Sequence, residues 1–160
     1  MKTFIALLRG INVSGQKKIK MADLRETLQN IGLESVTTYI QSGNIVFCSR
    51  EDDIKKMEKS IFNAIQKDFG FEVPILIISQ DKIESILALN PFAKETELNN
   101  LYFVLLKQSP SVELMEQFNK LKFDNEDFHI ETNCVYLRCK KGYGKAKLNN
   151  NMVENKLKVQ

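Results

Sequence analysis

Histidine and cysteine are scarce in this 160-residue chain, and long apolar runs are missing. The single histidine, His129, lies beside the acidic stretch Asp124–Asp127, which gives a Cys–His or Ser–His–Asp arrangement little to build on. It reads as a solvated or satisfied strand residue. The three cysteines, Cys48, Cys134 and Cys139, are an odd number in a chain without an export signal, so free thiols are expected. Cys134 and Cys139 are five apart in an apparent strand, which directs them to opposite faces. With one histidine they do not complete a zinc set, so neither a metal site nor a cofactor is expected. Cys48 ends an apolar strand and reads as a small core residue. No apolar run approaches the roughly 18 residues that cross a bilayer. The opening segment Met1–Arg9 has too short an apolar stretch, cut by Arg9, to act as a secretory signal. A cytoplasmic protein without a membrane partner is expected. These residues name no reaction, and whether the protein is an enzyme stays open, as does its oligomeric state.

What is present suits a soluble, folded chain. Apolar residues make up 43% and charged residues 27%, which excludes wholesale disorder. At this length about two-thirds of the unfolded surface can be buried, so no covalent staple is needed. The net charge of +3 hides an uneven distribution. Residues 1–20 carry five bases and no acid, and residues 138–160 carry seven bases against Glu154 alone. The 117 residues between hold 11 bases and 19 acids. Basic ends flank an acidic waist. If the ends meet, they make a surface suited to an anionic partner; otherwise they are solvated lysines.

Periodicity divides the chain into two related halves. Thr3–Leu8 is apolar at both parities and reads as a central strand covered on both faces. Met21, Leu24, Leu28 and Ile31 recur at helical spacing, and Gly32 follows as a stop. Val36–Ile40 and Ile45–Cys48 flank the hairpin signal Gln41-Ser42-Gly43-Asn44. A second helix carries Ile54, Met57, Ile61, Ile65 and Phe69 before Gly70, and Val73–Ile78 is the next strand. This βαββαβ order predicts an α+β, ferredoxin-like half over residues 1–79. After a helix near Asp81–Leu89 the pattern nearly recurs over residues 80–160. A strand at Leu101–Leu106, a helix at Val112–Leu121, a hairpin of Phe128–Glu131 with Cys134–Cys139, and a basic helix from about Lys145 to Leu157 give βαββα. Ile75–Ile78 and Leu101–Leu106 look buried on two sides and are expected away from open edges. No Pro/Gly/Ser-rich linker separates the halves, so they are expected to pack against each other.

In a sheet of spatial order 4-1-3-2, the end of the first strand, the start of the first helix and the first hairpin share one edge. That edge carries Arg9-Gly10-Ile11-Asn12, Gly15-Gln16-Lys17-Lys18-Ile19-Lys20 and Gln41-Ser42-Gly43-Asn44. Free backbone N–H groups, a helix N-terminus and cationic side chains are the parts of an anion site. Arg9 adds a planar fork matched to phosphate or carboxylate. The segment Lys141-Gly142-Tyr143-Gly144-Lys145-Ala146-Lys147 supplies an aromatic and further cations. There Tyr143 is suited to stacking, and Lys145 and Lys147 to a phosphate. The candidate binding residues are therefore Arg9, Gly10, Asn12, Lys17, Lys20, Gln41, Ser42, Gly43, Asn44, Tyr143, Lys145 and Lys147. Each also has a plainer reading: a hairpin turn, a structural ion pair, a solvated loop. Their convergence on one edge favours a site.

The segments Ala6–Val13, Lys20–Arg25 and Thr38–Asn44, with Gly142-Tyr143-Gly144 and Lys147-Leu148, resemble the bacterial family called domain of unknown function 1697. The resemblance spans essentially the whole chain. It implies an α+β fold with a ferredoxin-like portion and no assigned activity. It marks Arg9, Gly10, Asn12, Gln41, Ser42, Gly43, Asn44, Tyr143 and Lys147. Ser14 stands where the family often has glycine, and the chain ends at Gln160 where members commonly continue into a segment containing threonine and arginine.

Two functions compete. The first is a site for a phosphate-bearing ligand, a nucleotide or nucleic acid. The second is a protein-interaction or structural domain without a small-molecule ligand. An RNA-recognition reading of βαββαβ would want exposed aromatics on the first and third strands. Phe4 and Phe47 occupy those strands among aliphatics and read as core.

Overall fold

Burial alternates along the first strand, β1 (Lys2–Leu8): Phe4, Ala6 and Leu8 are buried, while Thr3, Ile5 and Leu7 are half-buried. The computed structural model describes Met1–Val159; Gln160 lies outside the described residues. β1 leads through a long loop to helix α1 (Met21–Asn30). That helix ends in a Schellman motif in which Gly32 N–H donates to Gln29 O (2.9 Å) and Leu33 N–H to Leu28 O (3.2 Å). Gly32 takes φ +89°, which a residue without Cβ adopts at no steric cost.

Strands β2 (Glu34–Tyr39) and β3 (Asn44–Ser49) form the first hairpin. Helix α2 (Ile54–Phe69) is capped by Asp53, whose side chain accepts from the N–H groups of Lys55 and Lys56. Strand β4 (Ile75–Ser79) follows. The sheet order is β2-β3-β1-β4, antiparallel throughout. α1 and α2 pack on one face, where Leu24, Leu28, Ile61 and Ile65 meet Phe4, Ile45 and Phe47. The rings of Phe4 and Phe47 lie 5.7 Å apart within that core.

Helix α3 (Gln80–Ala88) spans the division between two compact units, Met1–Ser85 and the part beginning at Ile86. The second unit holds strands β5 (Leu101–Leu105), β6 (Glu126–Glu131) and β7 (Cys134–Cys139), with helices α4 (Val112–Asn119) and α5 (Asn150–Leu157). Its sheet order is β5-β7-β6, again antiparallel. Val135, Leu137 and Cys139 join Phe118, Leu148, Val153 and Leu157 in its core. Tyr136, at the other parity, is 1% exposed and donates its hydroxyl to Ile86 O (2.8 Å). The protein is thus α+β with antiparallel sheets. Among the described residues no helix is long and apolar enough to cross a membrane.

Two expectations are corrected. β4 and β5 each lie at an edge of their own sheet. An apolar run reports that a strand's faces are covered, and does not report how many neighbours it pairs with. At β4, the Ile77 N–H is met by a side chain, Glu58 Oε1 at 3.2 Å. The final helix starts at Asn150, not near Lys145. Residues Tyr143–Lys145 form a short 3-10 turn, and Asn149 caps α5 by accepting from the Met152 N–H (3.1 Å). Asparagine is a preferred cap because its short side chain reaches an unpaired N–H of the first turn.

Candidate functional site

The loop edge of the first unit is assembled by one asparagine. Asn12 Nδ2 donates to Ile19 O (2.9 Å) and to Gln41 O (2.8 Å), while Asn12 Oδ1 accepts from Ile19 N (2.9 Å). Its own backbone N–H donates to Lys17 O (3.1 Å). Three of the four hydrogen-bond sites of this amide are thereby spent on backbone groups of the loop before α1 and of the hairpin. The three loops meet at one end of the sheet, and Asn12 is the pin that holds them.

Backbone conformation at this edge is unusual. Asn12, Ser14, Lys17 and Ile40 take φ between +45° and +55°, and Gly10, Gly15 and Gly43 lie between +75° and +79°. The left-handed region is uncommon for non-glycine residues and strained for a β-branched one such as Ile40. Gly43 is the tightest point. A Cβ there would lie 2.7 Å from Leu8 Cβ and from Ile11 Cδ1, and the Gly43 carbonyl accepts from Leu8 N (3.0 Å).

The remaining candidates of this edge differ in what they offer. Arg9 is exposed, with its backbone N–H on Pro74 O (3.0 Å). Lys17 directs its ammonium to Glu72 O (2.6 Å). Lys20 is exposed and stands at the N-terminus of α1, where no side chain caps the helix. Lys18 is exposed beside it. Asn44 donates its side-chain amide to Ser42 Oγ (2.8 Å). Gln41 contributes its carbonyl to Asn12 and keeps its side chain at the surface. Gly10 is exposed, with open space where a side chain would be. Asp23, in the first turn of α1, is the nearest acid in sequence.

Tyr143, Lys145 and Lys147 belong to the second unit. Tyr143 is half-buried, with its ring 4.9 Å from that of Tyr102. Its hydroxyl donates to Asn150 Oδ1 (2.7 Å) and accepts from Asn150 N (3.0 Å). It braces the start of α5. Lys147 gives its backbone N–H to the buried carboxylate of Glu126 (2.7 Å) and keeps its ammonium exposed, as does Lys145.

Elsewhere in that unit, Arg138 forms a two-pronged contact with Asp127 Oδ2, at 3.0 Å from Nε and 2.6 Å from Nη2. Its guanidinium also lies over the Phe92 ring at 5.3 Å. The Arg138 hydrogen bond holds the Asp127 carboxyl below its ordinary range. Burial pushes the Cys134 thiol up to about 12 and raises Cys139 as well, so neither is poised as a nucleophile.

Two features were not singled out from the amino-acid order. Tyr39 is 70% exposed on β2, and Val13 and Ile40 are 58% and 59% exposed. The parity of Tyr39 relative to Val36 was the available signal. A cleft of about 350 Å³ also opens at the opposite end of the first sheet. The end of α1, Ser49–Glu51 and the first turns of α2 line it, with Arg50 and Lys56 balanced by Glu34 and Glu51.

The model of a family described as a protein of unknown function (DUF1697) matches residues 1–136. Among solved structures, the conserved bacterial protein SP0830 from Streptococcus pneumoniae is similar, with a TM-score of 0.72 and 26% identity. That match covers 88% of this chain and 78% of the other. No curated protein matches the chain.

Proposed function

Because the chain belongs to the DUF1697 family of proteins of unknown function, we propose its function from the geometry: the loop edge of the first unit binds a phosphate-bearing ligand, a nucleotide or nucleic acid. The observation that carries this is the Asn12 pin, which ties together three loops whose segments also carry Arg9, Lys18 and Lys20. Residues 1–20 contain no acid. The uncapped N-terminus of α1 adds backbone N–H groups and the positive end of a dipole. Arg9, Gly10, Lys20, Ser42 and Asn44 present groups to the ligand. Asn12, Gly43 and the Gln41 carbonyl hold the loops. Lys17 donates to the Glu72 backbone carbonyl and contributes charge at the rim. Tyr143, Lys145 and Lys147 form a second basic group on the other unit, in which Tyr143 is a brace and the lysines are the candidate ligand contacts. The first unit follows the ferredoxin-like plan, and the strand order β2-β3-β1-β4 supports that assignment.

The test is a titration of the protein with nucleotides and with short DNA and RNA across a salt series. Affinity for a strand should fall with salt at a slope near 0.7 per phosphate contacted, or near 0.9 for duplex DNA. Arg9→Ala and Lys20→Ala should each weaken binding. Absence of binding to every phosphorylated ligand, or binding indifferent to both substitutions, refutes the site.

A protein-docking reading draws on the exposed Val13, Tyr39 and Ile40 at the same edge. It expects a stable complex in pull-downs and no thermal stabilisation by phosphorylated ligands. A saturating ligand at 100 times its dissociation constant would add about 2.7 kcal/mol of stability, so a melting screen separates the two.

A further inference from the structure

The face of the first sheet turned away from α1 and α2 meets the loop edge at Tyr39. Directly opposed residues of an antiparallel pair share a face. Thr38 opposes the buried Ile45 and accepts from Arg25 of α1 (2.7 Å), so both belong to the helix side. Tyr39 opposes Asn44, and Thr37 opposes Val46, on the other side. Across β1 the row continues from Asn44 to the half-buried Leu7. Tyr39 and Asn44 therefore stand at the loop end of the face turned away from α1 and α2.

Among the described residues, no hydrogen bond, ion pair or ring contact engages the Tyr39 side chain, which is 70% exposed. Val46, one rung further on the same face, is 41% exposed. An unpartnered aromatic at the sheet end that also carries Lys18 and Lys20, joined to it through the Asn12 bonds to Ile19 and Gln41, has the makings of a stacking platform for unstacked bases, whose phosphates the cations follow. The ammonium groups of Lys18 and Lys20 have no hydrogen-bond or ion-pair partner among the described residues. Bases inside a duplex keep their faces against one another and offer none to such a ring. The outermost hairpin residues, Gln41–Asn44, are polar, and carrying them into hydrocarbon would strand amide groups without partners. That argues against a bilayer as the surface read by this edge.

Resting on the phosphate-site reading above, we infer that the ligand is a single-stranded nucleic acid, one base of which stacks on Tyr39 while Arg9, Lys18 and Lys20 take the backbone. This places the recognition aromatic on the second strand of the sheet. Phe4 and Phe47, on the first and third strands, are buried under the helices, 2% and 0% exposed.

The test is fluorescence anisotropy with labelled single-stranded DNA and RNA of about 10 nucleotides, within the span one small domain covers. The same sequence as a duplex, an abasic strand of equal charge, and phosphatidylserine vesicles complete the panel. Single strands should bind more tightly than the duplex or the abasic strand. Tyr39→Ala should weaken single-strand binding by about 5- to 150-fold, the range of one lost base stack, and Tyr39→Phe should stay close to wild type. If Tyr39→Ala binds like wild type while Arg9→Ala is weakened, the stacking inference fails and the phosphate site stands. Equal binding of duplex and single strand, or of the abasic strand, has the same meaning. No binding to any nucleic acid or nucleotide removes both, and vesicle binding lost in Tyr39→Ala would reassign the edge to a lipid surface. Because Tyr39 is exposed, circular dichroism of the variants should match wild type.

Discussion

At Gly43 and Asn12 the loop edge depends on single atoms. Gly43 combines φ +79° with a site where a Cβ would lie 2.7 Å from Leu8 and Ile11. Gly43→Ala should therefore cost about 2–4 kcal/mol, from the backbone strain and overpacking together, read as a lower urea midpoint. Asn12→Ala leaves Ile19 N, Ile19 O and Gln41 O without their partner. For this half-buried side chain a loss of about 2–3 kcal/mol is expected. Asn12→Asp keeps the acceptor for Ile19 N but not the two donated bonds, so it should fare little better. Amide exchange at Ile19 should accelerate in both variants, and equal protection would show that the loops hold without the pin.

Elements in the second unit are tied at their ends by side chains. The Tyr143 hydroxyl and Asn150 exchange two hydrogen bonds at the start of α5, while the ring rests against Tyr102. Tyr143→Phe keeps the ring contact and loses only the brace, so a destabilisation of about 1 kcal/mol is expected in thermal or urea melts. A larger loss would mean that the 3-10 turn itself collapses. The β6–β7 rung carries a pH dependence. Asp127 has its carboxyl pKa lowered, chiefly by the Arg138 hydrogen bond. Its contribution is complete above the ordinary carboxylate value near 4 and is lost as pH falls through the lower folded value. The Asp127 side chain is 38% exposed, so solvent screening keeps the effect below about 1 kcal/mol. Urea melts of wild type and Asp127→Asn should differ at pH 7, and the gap should shrink as pH falls below the ordinary carboxylate value. A constant gap across that range would contradict the assignment.

Over the whole molecule, burial sorts the three thiols. Cys134 and Cys139 are each 1% exposed and their thiols are raised by burial, whereas Cys48 is only partly covered. An alkylating reagent at mild alkaline pH should modify Cys48 first and reach the other two only on unfolding. Mass spectrometry after timed labelling checks this, and early labelling of Cys134 would show that the second unit opens easily. The charge distribution belongs to the same scale. The acid-free first 20 residues supply the cations of the loop edge, while the acids lie mainly in the central part of the chain. Ionic strength should thus act on binding far more than on folding.

Amino-acid order alone determined most of the elements, though not where α5 begins. Apolar spacing marked α1 and α2, alternation marked the hairpins, and Gly32 and Gly70 marked the helix stops, because these signals are local and obey fixed periods. It also located the three loops that meet, since strand order follows from a βαββαβ succession. Only the tertiary structure decided what each polar side chain does there. An asparagine reads identically in sequence whether it faces a ligand or pins backbone, and Asn12 pins it. Tyr143 likewise braces a helix, while Tyr39, embedded in a strand, stands exposed. β4 and β5 became edges because a hydrophobic run encodes how strongly a strand is covered, and neighbour number is settled only when the sheet closes around it.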